Sequence, residues 1–252
     1  MRTIALQLYT VRQALAQDAA GTLRRVHEAG YRSVETAPLP PGLTAREFGG
    51  MLRDHGLAVT AVHEELPLGD SQARVLDAAA ALGATRLIWH GWPRDPECGS
   101  LEGYRRLADR YADAARVAQD HGLQFGLHTH WWECEPIEGE YPYQLLHRVL
   151  PAEICFELDV YWARTAGLDP VRAIQDLGAR VALLHLKDGP AVHGQPMTAL
   201  GDGVVDLSSV LRAAPATADL VVELDECATD PLEAARRSLQ FLEQSRLCDE
   251  GR

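Results

Sequence analysis

Side chains that can bind a hard cation or move a proton recur at regular places along this chain. They are Gln7, Glu35, His63, His90, His128 with His130, Glu157 with Asp159, His185 with Lys187, and Glu223 with Asp225. Each closes a short apolar run. Five of the ten histidines stand at such positions. Any one of them alone reads as a solvated strand end, but the set is too regular for that. Imidazoles and carboxylates without a thiolate suit one divalent ion of the Mn, Co, Zn or Mg kind. Such a cation beside an acid and a base can drive proton transfer next to a carbonyl.

The elements that must position these groups follow from one repeated pattern. A helix-like stretch ends in Gly, an apolar run follows, and a polar residue ends it. The pattern reads Gly30 to Glu35, Gly56 to His63, Gly83 to His90, Gly122 to His128 and Gly178 to His185, with spacings of 5, 7, 7, 6 and 7 residues. Gly suits the left-handed position just past a helix end, and the apolar run suits a strand buried on both faces. Thr3–Tyr9, Glu153–Asp159 and Asp219–Leu224 complete eight candidate strands. Amphipathic stretches such as Tyr104–Gln119 and Pro231–Gln244 lie between strands. Eight strand–helix units in 252 residues predict an α/β chain, a single (β/α)8 TIM barrel over residues 1–252. An open doubly wound sheet normally carries a Gly-rich loop after its first strand. Here Thr10-Val-Arg-Gln-Ala follows instead.

In such a barrel the C-terminal strand ends form the active site. His128 and His130 are two residues apart and share a face if the strand continues. They join Asp159, His185 and Glu223 as candidate metal ligands. A helix-end or salt-bridge role remains the alternative for the two acids, and a packed core imidazole for His185. His63 and His90 are placed between substrate contact and structural hydrogen bonding. Trp131 and Trp162 lie just past strands five and six, where aromatic faces can stack on a sugar. Asp206 is the expected cap of a helix beginning at Leu207. The preceding Gly201-Asp-Gly203 lacks a nearby Arg pair, so a non-phosphorylated substrate is favoured over a phosphate at that helix end.

Composition narrows the partners. Lys and Arg number 24 against 36 Asp and Glu, a net charge of −12 that disfavours nucleic acid and anionic membrane surfaces. The 46% hydrophobic and 24% charged content is that of a globular chain and not a disordered one. No run approaches the roughly 18 apolar residues of a membrane span. The N-terminal segment does not read as a signal peptide, because Gln7 and Arg12 interrupt its apolar start. Five scattered cysteines without a CxxC pair suit a reducing, cytoplasmic setting. A homodimer is the assembly that common enzyme symmetry allows.

The segments Phe125-Gly-Leu-His-Thr-His-Trp-Trp-Glu133, Glu157-Leu-Asp-Val-Tyr-Trp162, Leu184-His-Leu-Lys-Asp188, Gly201-Asp-Gly-Val-Val-Asp206 and Val222-Glu-Leu-Asp-Glu226 follow one another over the last four strands. In order and spacing they resemble the xylose isomerase-like TIM-barrel superfamily, in its sugar phosphate isomerase/epimerase branch. That branch includes inosose dehydratases and keto-sugar epimerases. The resemblance implies one divalent ion held by one residue from each of strands five to eight. Asp159, His185 and Glu223 match strands six, seven and eight. His128 stands where many relatives carry Glu, with His130 and Glu133 as competing ligands. Epimerase relatives place a substrate-binding His where this chain has Trp162, and Lys187 is similar to dehydratase-like members.

The expected activity is isomerisation, epimerisation or dehydration of a keto-sugar, cyclitol or related derivative. Glu223, His130, Glu133 and Lys187 are the expected acid–base groups. Gln7, Glu35, His63, His90, Trp131 and Trp162 are the expected substrate contacts. Two other readings stand beside it. One is a catalytically silent, regulatory sugar-binding barrel. The other is an endonuclease-like nuclease, which would need more ligands and a basic face.

Overall fold

The computed structural model describes residues 2–245, so Cys248 lies outside the described residues. Eight parallel strands close into a barrel: β1 (Ile4–Gln7), β2 (Ser33–Thr36), β3 (Ala58–Glu64), β4 (Arg86–Trp89), β5 (Gln124–His128), β6 (Cys155–Asp159), β7 (Val181–Leu186) and β8 (Asp219–Val222). Each pairs with the next, and β8 returns to β1. Helices follow the strands around the outside. The repeated Gly behaves as its spacing predicts. Gly83 ends the helix Gln72–Leu82 with φ 72° and ψ 27°, a left-handed geometry that side chains bearing a Cβ rarely adopt. The helix Pro231–Gln244 has the bounds read from the sequence. The helix over Tyr104–Gln119 is longer, Leu101–Asp120, because Ser100 caps it by accepting from the Gly103 N–H.

β1 and β8 each stop two residues before the end of the run read from the sequence. The first stops at Gln7, whose side-chain oxygen accepts from the Tyr9 N–H and turns the chain into a 3-10 helix over Leu8–Val11. The last stops at Val222, leaving Glu223 just beyond the regular ladder.

The barrel interior is layered, as the two-residue strand period requires. Ala5, Ala61, Ile88, Cys155, Leu183 and Val221 form a small apolar plug inside it. Gly126 joins this layer, since a Cβ there would meet Cys155 Sγ and Ile88 Cδ1 at 2.7 Å. Two residues further along each strand stand Gln7, His63, His90, His128, Glu157, His185 and Glu223. Two further again stand His130, Asp159, Lys187 and Asp225. A register shift between Phe156 and Glu157 sets Asp159 opposite His185. A much larger apolar layer between strands and helices, from Leu6 and Val34 to Leu239 and Leu242, holds the outside of the barrel together.

Candidate active site

The floor of the site is a buried lattice of imidazoles and carboxylates. Glu157 Oε2 accepts from His63 Nε2 at 2.6 Å and from His128 Nδ1 at 2.9 Å. Glu35 Oε2 accepts from Gln7 Nε2 and from His185 Nε2, both at 2.7 Å. His185 Nδ1 faces Glu223 Oε2 at 2.8 Å. With both ring nitrogens on carboxylates and no metal bound, His185 is held as an imidazolium, and it must give up one of these protons before that nitrogen can ligate an ion. Burial works against that charge, but Glu157, Glu35 and Glu223 overcome it and lift its pKa well above the ordinary value. His63 behaves alike: burial lowers it, Glu35 and Glu157 raise it more, and it reaches about 10.

This shift fixes a pH dependence. The ordinary His value is 6.5, so between there and about 10 the folded chain keeps a proton that the unfolded chain releases. The stabilisation is whole below 6.5 and is lost as pH rises toward 10. The melting temperature of the metal-free protein should fall across that window. His63→Asn should flatten the fall, as differential scanning calorimetry at several pH values will register.

Above the floor lies Lys187, fully buried. Its ammonium stands 2.6 Å from Asp225 Oδ2, 2.7 Å from Glu223 Oε2 and 3.0 Å from Asp159 Oδ2. Burial opposes its charge, and the three carboxylates hold the pKa well above the ordinary value. Glu223 responds in the other direction: burial would raise it, but Lys187 and His185 hold it well below the usual carboxylate range. Asp159 caps the helix Val160–Thr165, with Oδ1 accepting from the Tyr161 and Trp162 N–H groups at 2.9 Å each. Its other oxygen, Oδ2, is buried and accepts no hydrogen bond.

The donor set fits a divalent cation. Asp159, His185 and Glu223 each offer a ligand atom, all within 4.8 Å of one another. His128 bonds Glu157 through Nδ1, which turns Nε2 toward Asp159 Oδ2 at 3.9 Å. Burial, and then the charge of His185, lowers the His128 pKa and keeps that nitrogen's lone pair free. The carboxylates behind His128 and His185 are the partners that usually fix the orientation of ligating imidazoles. Glu35, Glu157, Asp159 and Glu223 are gathered around His63, His185 and Lys187, with Asp225 at the rim.

The cavity above has a volume of about 350 Å³ and is lined by His63, His90, His128, His130, Trp131, Trp162, Lys187 and Glu223, all read from the sequence as site residues. Tyr9, Trp92 and Glu226 also line it and were not among them, and so does Asp225, which the sequence paired with Glu223 at a strand end without assigning it a role. His130 stacks on Trp132 at 4.1 Å, and its buried Nδ1 has no hydrogen-bond partner. Burial, and then the charge of Lys187, lowers its pKa and keeps it neutral. His90 accepts from the Trp92 N–H through Nδ1, leaving Nε2 as a donor, and burial takes its pKa down to about 4.

Two expected substrate contacts, Glu35 and Gln7, and one expected acid–base group, Glu133, are placed differently. Glu35 is fully buried beneath the cavity and holds His185 and His63 rather than a substrate. Gln7 reaches the cavity, but its amide is bound at both ends, to Glu35 and to the Tyr9 N–H. Glu133 lies behind His130: one oxygen accepts from the His130 backbone N–H at 2.9 Å, the other from the Tyr104 hydroxyl at 3.3 Å. Burial pushes its pKa up to about 7.

Asp225 stands two residues past Glu223, the spacing that put both among the strand-end residues of the sequence. His193 stacks against Trp162 at 5.7 Å from a long loop with no periodic signal. The Gly201-Asp-Gly203 amides are taken internally: Asp188 accepts from the N–H groups of Gly189, Gly201, Gly203 and Val205.

The family model of the xylose isomerase-like TIM barrel matches residues 23–245. The chain belongs to that family. Among solved structures, this xylose isomerase-like barrel is similar to a sugar phosphate isomerase/epimerase from Parabacteroides distasonis, with 22% identity, a TM-score of 0.80, and 98% of this chain and 95% of that chain covered. It is also similar to an L-ribulose 3-epimerase (17%, TM-score 0.69, 97% and 94% covered). A third is a probable 3-DHS dehydratase from Bacillus anthracis (15%, TM-score 0.70, 96% and 99% covered). At these identities the likeness is one of fold. No curated protein matches the sequence significantly. Among the described residues, no helix is long and apolar enough to cross a membrane.

Proposed function

We propose that this barrel is a divalent-metal-dependent isomerase, epimerase or dehydratase that moves a proton alpha to the carbonyl of a keto-sugar, cyclitol or related derivative. The observation that carries the reading is the meeting of Asp159, His185 and Glu223 at the floor of a cavity walled by other titratable groups. These three residues and His128 would hold the ion. The ion supplies Lewis-acid polarisation of a carbonyl and its neighbouring hydroxyl. Glu133 leaves the ligand set, because both its oxygens serve Tyr104 and the His130 backbone.

The chain's own groups then divide the proton work. Glu223 is ionised and lines the cavity, so it can accept the proton. His130 is neutral on another wall and can accept or return one. Lys187 is a protonated donor for a ketone oxygen or a departing hydroxyl. Trp131 and Trp162, with ring centroids 4.9 Å apart, offer a face for a sugar ring. Return of the proton to the opposite face gives epimerisation, and to the adjacent carbon isomerisation. Loss of a β-hydroxyl gives dehydration. Trp162 and the buried ammonium favour the last. The four described cysteines are unpaired, which fits a cytoplasmic enzyme. A charge of −12 opposes nucleic acid as substrate.

The test is deuterium exchange. Keto-sugars, inososes and 3-keto-glycosides are incubated with the protein in heavy water with Mn, Co or Mg and followed by NMR. Exchange at a carbon next to a carbonyl, abolished by chelator, is expected for at least one class. A protein that takes up no stoichiometric divalent ion and exchanges none of them overturns the reading.

A further inference from the structure

Lys187 touches three carboxylates, but the contacts are not equal. Only the bond to Asp225 Oδ2, at 2.6 Å, has hydrogen-bond geometry. Asp159 Oδ2 lies 3.0 Å from the ammonium yet accepts no hydrogen bond from any group. Glu223 Oε2, at 2.7 Å, takes its directed bond from His185. Asp159 and Glu223 therefore meet the ammonium as a nearby positive charge, and Asp159 Oδ2 keeps its hydrogen-bonding capacity unused. The three acids also differ in depth. The Asp159 side chain is 0% exposed and Glu223 6%, whereas Asp225 is 29% exposed at the rim. The directed bond of Lys187 thus points outward, toward the cavity mouth.

We infer that Lys187 and a divalent cation are competing counter-charges for the Asp159–Glu223 pair, and that Asp225 is the positioning residue that draws the ammonium aside when the cation enters. This rests on the metal-dependent reading above and assigns to two non-ligand residues the control of cation affinity. Without a metal, Lys187 relieves the repulsion of two buried carboxylates. With one bound, the ammonium keeps a full partner in Asp225. Without Asp225, its partners would be the same two acids that the cation needs.

A double-mutant cycle on Mn²⁺ affinity tests it, read by isothermal titration and by the electron paramagnetic signal of free Mn²⁺ at one fixed pH. Lys187→Met should bind Mn²⁺ about tenfold tighter than wild type, and Asp225→Asn about tenfold weaker. Plain electrostatics predicts the same two signs, so the double variant decides. If Asp225 acts through Lys187, Asp225→Asn in the Lys187→Met background changes the affinity by less than about twofold. A tenfold loss in both backgrounds means that Asp225 acts on the ion directly and overturns the inference while leaving a metal enzyme. Unchanged affinity in Asp225→Asn alone also overturns it. Lys187→Gln is the second neutral variant should Lys187→Met fail to fold. Absence of Mn²⁺ binding in every folded form removes the metal-dependent reading and this inference together.

Discussion

Glu223→Gln should lower the proton-exchange rate by about 10³-fold or more, the range lost when a positioned general base is removed. The residue occupies two roles at once. It lines the cavity, where a reacting carbon can approach, and it offers one of the three convergent ligand atoms on the floor. Gln keeps the volume and one acceptor oxygen, so His185 retains a partner and the barrel should fold. What goes is the negative charge that Lys187 and His185 hold well below the usual carboxylate range. The check has two readouts: deuterium incorporation at saturating substrate and metal, and Mn²⁺ affinity. Loss in both is expected. A weaker Mn²⁺ site with exchange restored by excess metal would limit Glu223 to ligation and pass the base role to His130. Exchange within about threefold of wild type at ordinary metal concentration would remove Glu223 from the chemistry altogether.

The barrel was legible because its signals are local. A Gly at a helix end, an apolar run and a polar terminus each follow from backbone sterics and burial; the whole pattern recurs five times, and the run with its polar end in three more strands. The polar termini were legible as a set because a strand turns every second side chain inward. Ala5, Ile88, Cys155 and Val221 therefore point the way to Gln7, His90, Glu157 and Glu223. Depth was not legible in the same way. Glu35 and His63 close neighbouring strands, yet Glu35 lies fully buried and His63 reaches the cavity. That difference arises from strand stagger around the barrel, which no single strand encodes. Glu133 lies off the cavity for another reason. Its chain follows β5 beyond the ladder, and the turn there aims the carboxylate back at its own backbone. The partnership of Lys187 with Asp225 joins two strands 38 residues apart, a distance across which the sequence carries no pattern.

Asp188→Ala should unfold the roof of the site before it touches the floor. The carboxylate is fully buried and accepts four backbone N–H groups, from Gly189, Gly201, Gly203 and Val205, at 2.8 to 3.1 Å. Truncation leaves those donors without a partner, and each buried donor so orphaned costs about 1–3 kcal/mol. Gly189 and Val205 are the buried donors, while Gly201 and Gly203 are exposed enough to reach water, so even at the low end the sum is about 2 kcal/mol, a sizeable part of the 5–15 kcal/mol that a folded domain holds. For a chain of this size that corresponds to a melting shift of at least about 4 °C. The same cradle explains two glycines: a Cβ at Gly203 would meet Asp188 Oδ1 at 2.1 Å, and Gly201 sits at φ 88°. The loop it gathers carries His193 to Trp162 and Trp131, and Met197 to the backbone of Asp225 and Glu226. Its release should therefore raise the KM for a sugar substrate more than it lowers Mn²⁺ affinity, because Asp159, His185 and Glu223 are fixed from the strands. Asp188→Asn, which keeps one acceptor oxygen, should fall between. Thermal denaturation and amide hydrogen exchange across residues 189–206 are the measurements. A melting temperature within about 2 °C of wild type in Asp188→Ala would show that water or a rearranged loop satisfies those amides instead.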